Sequence, residues 1–280
     1  MARGATKSGI PYDSSRFDPV ERRFWRKCWE LVPPGLAREQ GVARREFGPM
    51  QATIAVSLPE AAMMNLVLGA ADPGAVAAGH LAAATDWVTS RGASCCVPVS
   101  PGAPETAAAE SWLRDNGFEP GYAWMKFVRD AHEPRFKVPT DVEVLELADP
   151  REAPFGMILA TGFELPAWAA AFFAGLPSRP GMRCYVARLD GRPQACAAML
   201  VDGGVAEFGG AATLEPARGR GCQLALLHRR IRDAAAAGCD TLFVETGERV
   251  PGRPSASYRN ILRAGFEEAY LRPNWRPRRQ

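Results

Sequence analysis

The alternation of apolar and polar positions divides the chain into two passes through one order of elements. In the first pass, Asp18 ahead of Pro19 caps a helix over 19–31. Val20, Phe24 and the Lys27/Cys28 step lie on one side of it, and Pro33-Pro34-Gly35 ends it. Residues 51–57 and 65–69 read as short strands. A helix over 80–90 closes at Gly92, and a strand over 95–99 lies near a sheet edge because of Pro98. A helix over 110–116 then stops at Gly117, and 122–128 forms a strand. The stretch 131–140, with Pro134 and Pro139, is the linker.

Beyond the linker the pattern strengthens. Residues 141–147 alternate as a strand and 150–173 form a helical region. An antiparallel meander over 183–189, 194–201 and 205–214 turns at Asp190-Gly191 and Asp202-Gly-Gly204. Over 221–237, Leu224, Leu227, Ile231 and Ala234 keep helical spacing, Arg229, Arg230, Arg232 and Asp233 face away, and Gly238 closes the helix. A strand over 241–245, a helix over 257–264 ended by Gly265-Phe266 and a strand over 269–272 follow. The two passes end alike. Trp87-Val-Thr-Ser-Arg-Gly92 and Trp112-Leu-Arg-Asp-Asn-Gly-Phe118 stand against Ala234-Ala-Ala-Ala-Gly238 and Asn260-Ile-Leu-Arg-Ala-Gly-Phe266, which reads as a degenerate internal duplication.

Composition narrows the class. A chain of 280 residues suits two domains of ~140 each. Its 47% hydrophobic and 23% charged residues are ordinary for a soluble globular protein. A net charge of +3 is too mild for a dedicated nucleic-acid binder, and the basic run Arg272-Pro-Asn-Trp-Arg-Pro-Arg-Arg279 reads as a solvated tail. Seven cysteines, two of them adjacent at Cys95-Cys96, and no basic-then-apolar opening predict a reducing, cytoplasmic setting. Apolar stretches are broken by charge well short of the ~20 residues of a membrane span. No Cys/His spacing suggests a metal.

Chemistry concentrates at Arg218-Gly-Arg-Gly-Cys-Gln223, where a strand ending at Leu214 passes through a glycine turn into an amphipathic helix. Open N–H groups and the helix dipole point at whatever binds there, so the turn suits a pyrophosphate. Arg218-x-x-Gly221-x-Gln223, together with Ser257-Tyr-Arg-Asn-Ile-Leu-Arg-Ala-Gly-Phe266, resembles the signature of the GNAT superfamily of N-acetyltransferases. The resemblance implies a mixed α/β (α+β) fold of two GNAT-like domains in tandem, each a mostly antiparallel central sheet flanked by helices. Residues 1–135 would be the degenerate unit, and 141–280 the one that binds acetyl-coenzyme A. In the first unit Asp72-Pro-Gly74 stands where the phosphate turn belongs, so that half is expected to bind no coenzyme A.

By the same resemblance the cofactor residues are Ala212, Thr213, Leu214, Arg218, Gly219, Arg220, Gly221, Cys222, Gln223, Leu224 and Asn260. Open backbone N–H groups on the strand ending at Leu214 would bind the thioester oxygen. Gln223 replaces the usual Gly or Ala of the motif, and Ile261 stands where many relatives carry a tyrosine that protonates the departing thiolate. Glu207 is the candidate general base; Tyr258, three residues before Ile261, is the candidate acid. The implied reaction is direct acetyl transfer to a primary amine of a small molecule or peptide. A non-catalytic acyl-coenzyme A sensor is the alternative, no nucleic-acid or membrane partner is expected, and the chain is compatible with a homodimer.

Overall fold

The computed structural model describes residues 4–5, 11–252 and 255–278. Gly4–Ala5 (β1) pairs with Pro11–Tyr12 (β2), and Ser14–Trp29 (α1) and Pro34–Gln40 (α2) follow. The first half continues through Val42–Phe47 (β3), Met50–Ala55 (β4), Val67–Leu68 (β5), His80–Thr89 (α3), Val97–Pro98 (β6), Thr106–Asp115 (α4) and Phe118–Asp130 (β7). The second half comprises Val142–Leu147 (β8), Phe155–Gly162 (α5), Ala171–Ala174 (α6), Met182–Leu189 (β9), Arg192–Asp202 (β10), Val205–Thr213 (β11), Cys222–Ala236 (α7), Thr241–Gly247 (β12), Ala256–Arg263 (α8) and Glu267–Pro277 (β13). The order β3-β4-β5-α3-β6-α4-β7 recurs as β9-β10-β11-α7-β12-α8-β13.

Four features depart from the sequence reading. Asp13, not Asp18, caps α1, its carboxylate accepting from the Ser15 N–H at 2.9 Å. The earlier start brings Phe17 onto the core face, stacked on Phe243 with ring centroids 4.8 Å apart. β3 was hidden by its charged residues Arg44, Arg45 and Glu46, which are exposed or half-buried on an outer strand. The expected helix over 150–173 breaks into α5 and α6, because Pro154 and Pro166 each interrupt the backbone ladder. Finally, the basic run from Arg272 is no tail as far as Pro277: it continues β13, with Arg272 and Trp275 buried, and Arg279 lies outside the described residues.

The strand order interleaves the two passes. The eight-stranded sheet reads β6-β13-β7-β12-β11-β10-β9-β8. β7, which ends the first pass, lies between β12 and β13, while β13, which ends the second, borders β6. The sheet β3-β4-β5 approaches β6 through an isolated parallel bridge between Leu66 and Cys96. Helices α1 and α5 cover one face of the large sheet with Phe17, Phe24, Ile158 and Leu159; α7 and α8 cover the other with Leu226, Leu227, Ile231 and Ile261.

At the exchanged strands three buried charges meet a half-buried fourth. Arg272 on β13 makes two hydrogen bonds to Glu21 of α1, at 2.6 and 2.8 Å, and one to Glu245 of β12 at 2.8 Å. Lys126 on β7 reaches Glu21 at 3.1 Å and Glu245 at 2.8 Å. Burial opposes charge on Glu21, but Arg272 and Lys126 outweigh it and hold the carboxyl down to about 2. The two cations balance the two anions, so none faces the interior alone. Removing one partner should therefore be costly. Arg272→Met is expected to lower stability by about 3–5 kcal/mol, whereas Arg16→Ala, at the exposed pair with Asp240, should cost about 1 kcal/mol or less. Urea midpoints of the two variants check the contrast.

Candidate active site

β11 and β12 run parallel and are paired from Val205↔Thr241 to Phe208↔Val244. Past that point they part. β10 and β11 change register between Cys196 and Ala198: Ala198 faces Gly209 but Cys196 faces Ala212, so β11 carries an extra residue. Gly210 takes a positive φ of 48° in this bulge, and a Cβ on Gly209 would run into the Phe24 ring. A bulge bends its strand, and here it marks the stretch over which β11 leaves β12.

Two cavities flank the opening. The larger, about 920 Å³, surrounds the turn into α7 and includes Ala212, Thr213 and residues 217–224. Gly219 (φ 80°) and Gly221 (φ 84°) hold left-handed backbone, and no side chain caps the N-terminus of α7. A Cβ on Gly219 would meet open space, whereas one on Gly221 would strike Pro139 of the linker. Close approach by a ligand is thus served by Gly219; Gly221 is required by its own φ and by the linker. Lys137, Arg218, Arg220, Arg259 and Arg263 line this cavity, and none of its lining residues is a carboxylate. Lys137, Arg259 and Arg263 escaped the sequence reading. The available signal was the four-residue spacing of Arg259 and Arg263 on either side of Asn260, which puts both on one helix face.

Gln223 links α7 to α8. Its Nε2 donates to Ser257 Oγ at 3.0 Å and its Oε1 accepts from Asn260 Nδ2 at 2.9 Å. With the side chain turned aside, its bulk does not crowd the turn. Cys222 is buried, and burial raises its thiol pKa, so it packs rather than ionises. Leu224 also lines the cavity. The N–H of Leu214, however, is donated to Gln194 O at 2.9 Å, so the open donors lie earlier on β11.

The smaller cavity, about 540 Å³, shares Ala211, Gln223 and Ser257 with the first and crosses the sheet at the opening. Phe24, Trp25, Trp124, Phe163 and Phe173 wall it on the α1 side; Leu227, Arg230 and Ile261 wall it on the α7 side. Glu207 sits at the last paired position but one, facing α1 with Val205 by strand alternation. It is 5% exposed and its Oε2 has no hydrogen-bond partner. Burial, reinforced by Glu21 and Glu245 and opposed by Lys126 and Arg272, pushes its pKa well above the carboxylate range. Tyr258 lines neither cavity: its hydroxyl donates to Glu268 at 2.6 Å and its ring packs edge-on against Phe127. The candidate acid is therefore not brought to the opening, because its helix turns Ser257 and Ile261 there instead. His228 stands edge-on to Phe136 with ring centroids 5.5 Å apart, outside both cavities.

Residues 121–248 match the family model described as an acetyltransferase (GNAT) domain. The chain carries a GNAT domain. The matched stretch begins in β7, the strand that borders β12 in space, and includes the opening and α7. No curated protein sequence matches the chain. Among solved structures it is similar to a GCN5-related N-acetyltransferase from Kribbella flavida (16% identity, 95% of this chain and 96% of that one, TM-score 0.61). It also resembles a tandem GNAT protein from the clavulanic acid biosynthesis pathway (16%, 91% and 95%, TM-score 0.54). A third similar structure is the C-terminal domain of a putative lysylphosphatidylglycerol synthetase from Agrobacterium fabrum (12%, 91% and 92%, TM-score 0.51). At such identities the likeness is one of fold, and any chemistry of this chain has to be argued from its own residues.

The environment of Glu207 predicts a pH dependence of stability. Unfolded, the carboxyl titrates near ~4.3; folded, it keeps its proton to higher pH. Above the unfolded value the native state holds more protons, so its stability falls as pH rises until Glu207 itself ionises. Glu207→Gln should remove that decline and leave the variant the more stable of the two near neutrality. Chemical denaturation of both proteins between pH 4 and 8 checks this.

Proposed function

We propose that this protein transfers an acetyl group from acetyl-coenzyme A to a primary amine by direct attack on the thioester. The observation that carries the reading is the joining of two sites through the parted strands. On one side five cations and an uncapped helix N-terminus suit the pyrophosphate and 3′-phosphate of coenzyme A. On the other an unpartnered carboxyl lies in an aromatic pocket. Acetyl-coenzyme A, when bound, supplies an acyl carbon open to amine attack. Arg218, Arg220, Arg259, Arg263 and Lys137 would hold its phosphates, and Asn260 and Gln223 would flank its pantetheine arm. Residues 1–135 are then the degenerate unit and 141–280 the unit that binds one donor per chain. In the first unit Asp72 is already paired with Arg22.

Glu207 is the base in this scheme. Its proton must leave before it can take one from the acceptor, so activity should climb with pH through a value above the ordinary carboxylate range. The aromatic wall favours an amine with an apolar body over a polyhydroxylated one, since polar groups placed there would lose their hydration. Fixed backbone donors on β11 near Gly210 and Ala211 would stabilise the thioester oxygen as charge develops on it. A non-catalytic acyl-coenzyme A sensor is the second reading, favoured by Ile261 and by the engagement of Tyr258 with Glu268. It predicts tight coenzyme A binding with no turnover of any amine.

Glu207→Gln is expected to slow thiol release ~100-fold or more while leaving coenzyme A affinity unchanged by calorimetry. Tyr258→Phe should change the rate by less than about threefold, with no alkaline fall in the pH profile of the parent enzyme, because dedicated acid catalysis is absent. Arg259→Ala and Arg263→Ala should each weaken coenzyme A about three- to tenfold, less at high salt, since both side chains are exposed.

A further inference from the structure

Arg230, which helical periodicity assigns to the outer face of α7, is 1% exposed. It lies three residues after Leu227 and four before Ala234, within the apolar stripe, and it lines the cavity at the parted strands. Its Nε donates to Leu226 O at 3.3 Å and its Nη1 to Ala198 O at 3.0 Å, beside the bulge. The guanidinium lies over the Phe208 ring, 4.6 Å from the centroid. Among the described residues it forms no salt bridge. The ionisable groups that act on it are Tyr185 and Cys196, both kept neutral by burial. Asp233, one turn on, is engaged by Arg183, Arg229 and Tyr185. A buried cation without a counter-ion is costly unless a ligand brings one.

Its position says which ligand atom that is. Gln223, Leu227 and Arg230 descend one face of α7 from the phosphate turn into the opening, a drop of about 10 Å. Glu207 faces the opposite side of the sheet. An amine arriving at Glu207 and a sulfur departing toward Arg230 would thus lie on opposite sides of the acyl carbon. Ile261, which cannot donate a proton, lines the same side as Arg230.

We propose that Arg230 stabilises the departing coenzyme A thiolate, taking electrostatically the role that a tyrosine at position 261 would fill by proton donation. This rests on the acetyltransferase reading above. The amine lone pair forms the nitrogen–carbon bond as the carbon–sulfur bond breaks. The bonding pair goes to sulfur, the amine proton to Glu207, and Arg230 keeps its own proton, facing the new anion with a charged N–H donor.

The test uses the full chain with bound coenzyme A and follows thiolate absorbance near ~240 nm against pH, with the desulfo-coenzyme A complex subtracted to remove the protein's own cysteines. The bound thiol should titrate at least about one pH unit below free coenzyme A. Arg230→Gln, which keeps a donor for Ala198 O, should abolish that depression and lower the rate at least about tenfold, and Arg230→Lys should retain part of both. A wild-type bound thiol that titrates at or above the free value overturns the proposal, with no variant required. A preference for succinyl- over acetyl-coenzyme A that disappears in Arg230→Gln also overturns it, since the guanidinium would then read a carboxylate on the acyl group. Absence of coenzyme A binding by calorimetry refutes the acetyltransferase reading itself, a result distinct from either.

Discussion

Four charges, three of them buried, tie the two passes of the chain together, and the geometry of the opening depends on them. Lys126 comes from the strand that ends the first pass, Arg272 from the strand that ends the second, Glu21 from the first helix and Glu245 from the strand beside the opening. Because each cation serves both carboxylates, β7 and β13 are fixed against α1 and β12 at once. β12 is thereby held at the place where β11 bends away from it. Ions in such surroundings constrain arrangement more than they stabilise it; here the arrangement is the sheet into which the candidate active site opens.

Much of this was legible in the sequence. The meander, α7, β12 and α8 follow from strong periodicity and from glycines at their ends, and the glycine turn into α7 follows from what lies on either side of it. What could not be read was long-range. Nothing local tells that residues 124–130 pair with 241–247, because strand exchange leaves each strand's own pattern unchanged. The same holds for charge: Glu21, Lys126 and Arg272 look like surface residues until the strands carrying them are placed side by side. Arg230 was misread because the neighbouring Arg232 does face outward and Arg229 is half-exposed, and one charged position within an apolar stripe looks like noise.

The site depends on local irregularities that serve one another. The extra residue on β11 parts two strands that would otherwise close, and Gly209 permits the Phe24 ring to fill the space beside the bend. Gln223, an exception to the family signature, lies between the two cavities and ties α7 to α8 there. Glu207 and Arg230 are both buried and incompletely matched, and burial raises the pKa of one and lowers that of the other. Such mismatches are expected where a protein holds groups in readiness for a ligand.

The exchange of final strands bears on how the gene can change. In a plain tandem, a half that has lost its ligand is free to decay or be deleted. Here deletion of residues 1–135 would take β7 from between β12 and β13, expose a long strand edge, and leave Glu245 without Lys126. The two halves are therefore bound by architecture, and a change in residues 1–135 reaches the opening wherever it touches β7 or the wall that Phe24, Trp25 and Trp124 form.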